Sequence, residues 1–349
     1  YETPCVRYGE LYHLYNEIIS EVVNKTNLDK SDLTFSIGNE ILLPSAGEDP
    51  LDIGSASALT IKGVAIGRTI NILRPLKKNL YSNIYVSYYI NEKLKKKIST
   101  LAKGVSISNV YNSDLKILNA LLPSISEQQK ISSFLLLINS RIQTQNKIIN
   151  DLKTLKTATA KKIFSQELRF KDDKGNEFLE WENNLLGDTL DYEQPTNYLV
   201  SSTEYDDSFE TPVVTAGKTF ILGYTDEKKG VFEKEKLPVI IFDDFTTASQ
   251  FVDFPFKAKS SAMKILKAKN DTNIRFIFEA LQMINYEVGG HGRHWISVFS
   301  NLSIFVPSFP EQTKIANFLS AIDSKIDMEN QLLQKLEEQK KYLLQNMFV

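Results

Sequence analysis

Pro123-Ser124-Ile125-Ser126-Glu127-Gln128-Gln129-Lys130-Ile131-Ser132-Ser133-Phe134-Leu135 recurs without a gap 184 residues later, as Pro307-Ser308-Phe309-Pro310-Glu311-Gln312-Thr313-Lys314-Ile315-Ala316-Asn317-Phe318-Leu319. The match continues forward through Ile138/Ile322, Ser140/Ser324, Ile142/Ile326, Asn146/Asn330, Leu152/Leu336 and Phe164/Phe348. It also runs back through Leu118/Leu302, Leu115/Phe299, Ser113/Ser297 and Tyr111/Trp295. Self-similarity at a fixed offset marks a repeated architecture. A weaker echo at another offset pairs Thr3-Pro4-Cys5-Val6-Arg7-Tyr8-Gly9 with Thr211-Pro212-Val213-Val214-Thr215-Ala216-Gly217. The globular parts therefore differ in length while the tails keep register.

Each tail reads as a long helix. The proline stands at its start, and Glu127 or Glu311 falls in the first turn, where the helix dipole favours an anion. Apolar residues follow at three-four spacing: Leu135, Ile138, Ile142, Ile149 and Leu152, then Leu319, Ile322, Ile326, Leu333, Leu336 and Leu343. That is a coiled-coil seam, interrupted at matching positions by Gln145 and Glu329. Two such stripes at one register in one chain are expected to pair antiparallel, each helix about 60 Å long at 1.5 Å per residue. The alternative is that each packs only on its own domain.

The expected fold class is α/β in the mixed, α+β sense. Two globular domains are separated by a long antiparallel two-helix coiled coil, in a pseudo-two-fold internal repeat. The expected boundaries are 1–122 and 169–306 for the globular domains and 123–168 and 307–349 for the helices. Tyr81–Tyr89 and Val239–Phe242 read as strands from their β-branched and aromatic content. Asn91–Leu101 and Asn273–Ile284 read as short helices. The second half opens at Glu180-Trp181 after the polar linker Lys171–Asn176. The first half has no counterpart to about the first 30 residues of the second, so the first domain is expected to be incomplete at its N-terminus.

A chain of 349 residues exceeds what one core usually supports. Cys5 is the only cysteine, so no disulfide forms within the chain and a reducing cytoplasm is expected. No apolar run approaches the roughly 18 residues of a membrane span, and Tyr1-Glu2-Thr3-Pro4 lacks the basic and apolar regions of a signal peptide. The net charge of −2 is unevenly divided: residues 1–122 carry 14 basic and 12 acidic side chains, 123–168 carry 7 and 3, 169–306 carry 15 and 22, and 307–349 carry 5 and 6. No segment is uniformly basic, so phosphate contacts would be local or supplied by partners.

Motifs for chemistry are absent or incomplete. Gly217-Lys218-Thr219 followed by Val239–Asp244 imitates a P-loop ATPase, but Pro212 stands where the first phosphate-cradling glycine is needed, and Thr219–Tyr224 reads as strand and turn rather than helix. His291 and His294 are three apart with no third ligand near them in sequence, so no metal is expected. There is no G-x-S-x-G elbow and no Asn-Pro for an amino-methyltransferase loop.

The repeated proline-Ser-x-x-Glu-Gln-x-Lys-Ile-x-x-Phe-Leu motif, each time followed by a heptad helix, resembles the conserved regions of type I restriction–modification specificity subunits. The resemblance covers the whole chain, apart from the short N-terminus. It implies a non-catalytic protein that reads a bipartite, asymmetric site on double-stranded DNA, one part per target recognition domain. It implies partners: two methyltransferase subunits using S-adenosylmethionine, and restriction subunits using ATP and magnesium. No cofactor is expected on this chain. The rival reading is a coiled-coil scaffold that binds only proteins.

The expected DNA contacts lie in the turn before each conserved helix, because bases are read by a few side chains on loops. In the second half this is Gly290-His291-Gly292-Arg293-His294-Trp295. Arg293 can meet guanine bidentately, the glycines allow close approach, and His291 and His294 can donate. In the first half it is Ser106-Ile107-Ser108-Asn109-Val110-Tyr111, preceded by Lys103. Tyr111 and Trp295 are expected to anchor core. Further candidates are Arg68, Arg74, Lys218, Tyr224, Thr246, Thr247, Lys259 and Lys264, for each of which a solvated charge or an ordinary turn residue is the competing reading.

Overall fold

The computed structural model describes residues 2–269, 271–287 and 292–348. Residues 1–147 together with 330–349 form one compact unit, and residues 148–329 form the other. Both are mixed α+β.

In the first unit the strand Glu40–Pro44 lies between Ser57–Leu59 and Ile70–Leu73, antiparallel to both. In the second, Val239–Asp243 lies between Ser249–Val252 and Met263–Ala268, again antiparallel to both. The Thr-Pro echo falls on the strands Thr3–Val6 and Thr211–Val214. Each of these pairs in parallel with a later strand, Lys62–Ile66 in the first unit and Lys257–Ala258 in the second.

The two long helices span Ile125–Phe164 and Phe309–Met347. In the first unit the opening of the first helix and the close of the second share a core, in which Leu135, Leu344 and Phe348 join Tyr85, Tyr88, Tyr89 and Val110. The second unit reverses the arrangement, with Ala160 and Ile163 joining Ile315, Ala316 and Leu319 around Trp181, Phe276 and Trp295. Lys156 Nζ also reaches Asp323 Oδ2 at 2.7 Å. Residue numbers rise along one helix as they fall along the other, so the helices run antiparallel within this unit.

Tyr81–Tyr89 is not a strand. Asn83–Tyr89 is a helix, with the Tyr85 N–H donating to Ser82 Oγ at 3.3 Å. Tyr85, Tyr88 and Tyr89 stand three and four apart and are all buried. Packing of that face overrides the strand preference of aromatic residues, which reflects surroundings more than backbone. Helix follows at Lys95–Thr100 and at Ile274–Gln282, and Val239–Asp243 is a strand.

The repeated glutamine has the same task twice. Gln128 Oε1 accepts from the Ser82 N–H at 3.0 Å, and its Nε2 donates to the Pro123 carbonyl at 2.8 Å. Gln312 Oε1 accepts from the Asn273 N–H at 2.8 Å, and its Nε2 donates to the Pro307 carbonyl at 2.9 Å. Both glutamines are buried. Each ties the start of a short core helix to the start of a long one, satisfying groups that would otherwise be buried without partners.

Candidate functional site

In the second unit the turn before the second long helix is held by Asp244, the residue that follows the buried strand Val239–Asp243. The Asp244 carbonyl accepts from the His294 N–H at 2.9 Å. Its Oδ1 accepts from the Trp295 N–H at 2.8 Å, and its Oδ2 stands 3.1 Å from Lys264 Nζ. Asp244 and Lys264 are each only 1% exposed. On the other side Asp243 Oδ1 accepts from the N–H groups of Phe245 and Thr246, at 2.9 and 2.7 Å, and shapes a hairpin tip. Thr247 completes that tip with a φ of 60°.

Asp243 and Asp244 thus bring Thr246, Thr247, Lys264, Gly292, Arg293 and His294 to one edge of the unit. Their exposure differs. Thr246, Gly292 and Arg293 are exposed, and Arg293 has no ion pair among the described residues. Space around Gly292 is open, with nothing within 4 Å of an added Cβ. His294 is buried, its Nδ1 3.3 Å from the Tyr286 hydroxyl. Lys264 is buried with its charge already matched. His291, with Gly289 and Gly290, lies outside the described residues. Trp295 is 1% exposed and anchors the core.

Lys218 is exposed in the turn after Thr211–Val214, and the neighbouring Gly217 carbonyl accepts from Gln250 at 3.3 Å. Lys259 donates to the Tyr205 hydroxyl at 3.0 Å. Tyr224, partly buried, lies on the strand Ile221–Thr225 opposite Pro212. Its carbonyl accepts from the Asp206 N–H at 3.1 Å, so Lys259 and Tyr224 share one neighbourhood.

The first unit repeats the frame with other residues. The Ser45 carbonyl accepts from the Val110 N–H at 3.0 Å, and Val110 is the repeat partner of His294. Asn71 Nδ2 donates to the Val110 carbonyl at 2.8 Å. By strand register, Leu43 opposite Asn71 matches Phe242 opposite Lys264. Ser45 and Asn71 therefore stand where Asp244 and Lys264 stand in the second unit.

The loop from Lys103 to Asn109 is closed by two backbone bonds between its ends, at 3.0 and 2.8 Å. Gly104 has a φ of 135°, and a Cβ there would meet the Ile107 carbonyl oxygen at 2.0 Å. Ser106 is exposed at the tip, whereas Ser108 is buried in a two-residue strand with Asn109, paired to Ala46–Gly47. Lys103 pairs with Asp114 at 2.9 Å but remains exposed. Such a surface pair contributes at most about 1 kcal/mol and leaves the lysine available. Tyr111 does not anchor core: it is 56% exposed, and its N–H donates to Asp114 at 3.0 Å. Arg68 is exposed in the turn between Lys62–Ile66 and Ile70–Leu73, without an ion pair among the described residues. Arg74 is engaged by buried Glu40 at 3.1 Å and by the Phe35 carbonyl.

Sequence reasoning meets Asp244 only in the P-loop imitation set aside above, which gives it no part in holding a turn. Its one signal is its place, close behind four buried apolar residues. Among the described residues no group of three or more His, Cys, Asp or Glu could hold a metal ion, and no helix is long and apolar enough to cross a membrane.

Residues 1–154 and 179–338 each match the Type I restriction modification DNA specificity domain. The chain is 51% identical over 126 residues to the EcoR124I/EcoR124II specificity subunit of Escherichia coli, a match spanning 35% of this chain and 31% of that protein. It is 23% identical over 290 residues to a type I specificity subunit of Mycoplasma genitalium, spanning 80% of this chain and 73% of the relative. The crystal structure of a type I restriction–modification S subunit from M. genitalium superposes with a TM-score of 0.67 at 17% identity, covering 100% of this chain and 93% of that one. At that identity the likeness concerns the fold.

Proposed function

Since the chain belongs to the type I restriction–modification DNA specificity family and carries its domain twice, we propose that it reads double-stranded DNA in two parts, one per unit. The observation that carries this reading is the repeated frame. In each unit a strand end is tied to the turn before a long helix, and that turn presents exposed polar or basic residues to solvent. Arg293, Gly292, Thr246 and Lys218 are the groups we assign to DNA in the second unit, with Lys103, Ser106 and Arg68 in the first. His294, Lys264 and Ser108 support those loops from within.

On this reading the chain supplies recognition and its partners supply chemistry. Two methyltransferase subunits would use S-adenosylmethionine, and restriction subunits would use ATP and magnesium. The long helices offer partners an exposed apolar surface, including Leu137 on the first and Tyr342 on the second.

Arg293→Ala tests the reading. Removing one bidentate base contact costs about 1–3 kcal/mol, so cognate binding by the assembled complex should weaken about 5- to 150-fold, with discrimination relaxed at one position. If Arg293 meets only phosphate, affinity should fall for all sequences alike and the salt slope should shrink by about one unit. A competition titration against cognate and single-base variants at two salt concentrations separates these outcomes. Unchanged affinity with unchanged salt slope would remove Arg293 from the interface. Exchanging residues 169–306 for a relative's domain should alter one part of the methylated site, and a change in both parts would refute independent reading.

A further inference from the structure

We propose that Asp244 and Lys264 are a positioning pair that sets the orientation of the second unit's turn Gly292–Arg293, and so decides which bases that unit prefers. The proposal rests on the DNA reading above. Removing two charges from water is costly, and a buried ion pair seldom stabilises a fold more than neutral residues of similar size. The first unit provides the neutral alternative in this same chain, with Ser45 and Asn71 at the matching positions.

The two solutions hold the turn differently. In the first unit Val110 is held at both its N–H and its carbonyl, while the Tyr111 N–H turns to Asp114 and its side chain to solvent. In the second unit Asp244 takes two consecutive N–H groups, those of His294 and Trp295, and the Trp295 side chain is buried. Arg293 directly precedes the two clamped amides, and Thr246 directly follows the hairpin's first turn residue. Asp244, its carboxylate fixed by Lys264, therefore orients the turn, while its chain neighbour Asp243 holds the hairpin tip. Lys264 and Asp244 touch no DNA in this scheme and act through their neighbours.

The test copies the first unit into the second. Asp244→Ser, Lys264→Asn and the double variant are made in the complete chain and assembled with the methyltransferase subunits. Two quantities are read: hydrogen exchange at the Trp295 amide, and base tolerance at each position of the methylated site. The double variant should melt closer to the parent than either single variant, because neither charge is left buried alone. Its Trp295 amide should exchange at least about tenfold faster, and discrimination should fall about tenfold in one part of the site only, the size of a lost base contact. A folded double variant that discriminates bases as the parent does would overturn the proposal. Should the double variant not fold, Asp244→Asn keeps the size and an acceptor for the Trp295 N–H while removing the charge, and base tolerance then decides the matter: unchanged discrimination overturns the proposal. A parent complex with no sequence preference would instead overturn the DNA reading. The pair is then judged by the Trp295 amide alone, where unchanged protection refutes it.

Discussion

Glu127 and Glu311 occupy the same place in the repeated motif, one residue before the buried glutamines, yet live in different surroundings. Glu311 is fully buried and accepts from Arg169 Nε at 2.9 Å, Arg169 Nη2 at 3.1 Å and Trp181 Nε1 at 3.1 Å. Glu127 is exposed. The adjacent glutamines, by contrast, share two bonds in both units, and Gln312 Nε2 adds a third to the Asp271 carbonyl at 3.3 Å. A repeated motif thus holds positions of two kinds. The glutamine serves the frame and keeps its role, whereas the role of the glutamate depends on what else the unit places against it.

The largest effect should come from separating the glutamates. Glu311→Ala leaves the largely buried Arg169 and the Trp181 N–H without their partner and should cost about 3–5 kcal/mol. Glu127→Ala should stay within about 0.5 kcal/mol, as surface substitutions do. Urea unfolding of the two variants checks the contrast, and equal costs would break it. Gln128→Ala and Gln312→Ala sharpen it from the other side. Each strands the N–H and the carbonyl its amide holds, at about 1–3 kcal/mol per unsatisfied group, so both midpoints should fall, that of Gln312→Ala by no less than that of Gln128→Ala.

A smaller contrast separates the two turns. Gly104→Ala forces a side chain into a left-handed conformation against a carbonyl and should cost about 1–3 kcal/mol. Gly292→Ala meets open space and should change stability by no more than about 0.5 kcal/mol. Hydrogen exchange across 103–109 should rise in the first variant, while that of the 292–295 turn should be unaltered in the second.

The long helices are legible in the sequence because their apolar spacing is local and repeats in register over about forty residues. The strand Val239–Asp243 is legible because its β-branched run is short and buried throughout most of its length. Tyr81–Tyr89 is not, since its aromatics select helix only through what they pack against. The candidate site is partly legible. Glycine neighbours place Arg293 on a turn, but nothing local marks Lys264 as a core residue. It lies on a strand flanked on both sides by others, where alternation no longer marks a solvent face. Arg74 meets Glu40, a partner distant in sequence that no local pattern announces, and Tyr286 lies eight residues from the His294 it faces.

The two units also differ in how the chain supplies them. The second is one continuous stretch, residues 148–329, and has all its parts as soon as that stretch leaves the ribosome. The first draws on residues 330–349 as well, and its core includes Leu344 and Phe348. Synthesis therefore delivers the first unit's strands early and its closing helix segment late. The later-encoded unit can be folded while the earlier one still lacks the Phe348 ring that packs against Tyr85 and Tyr89.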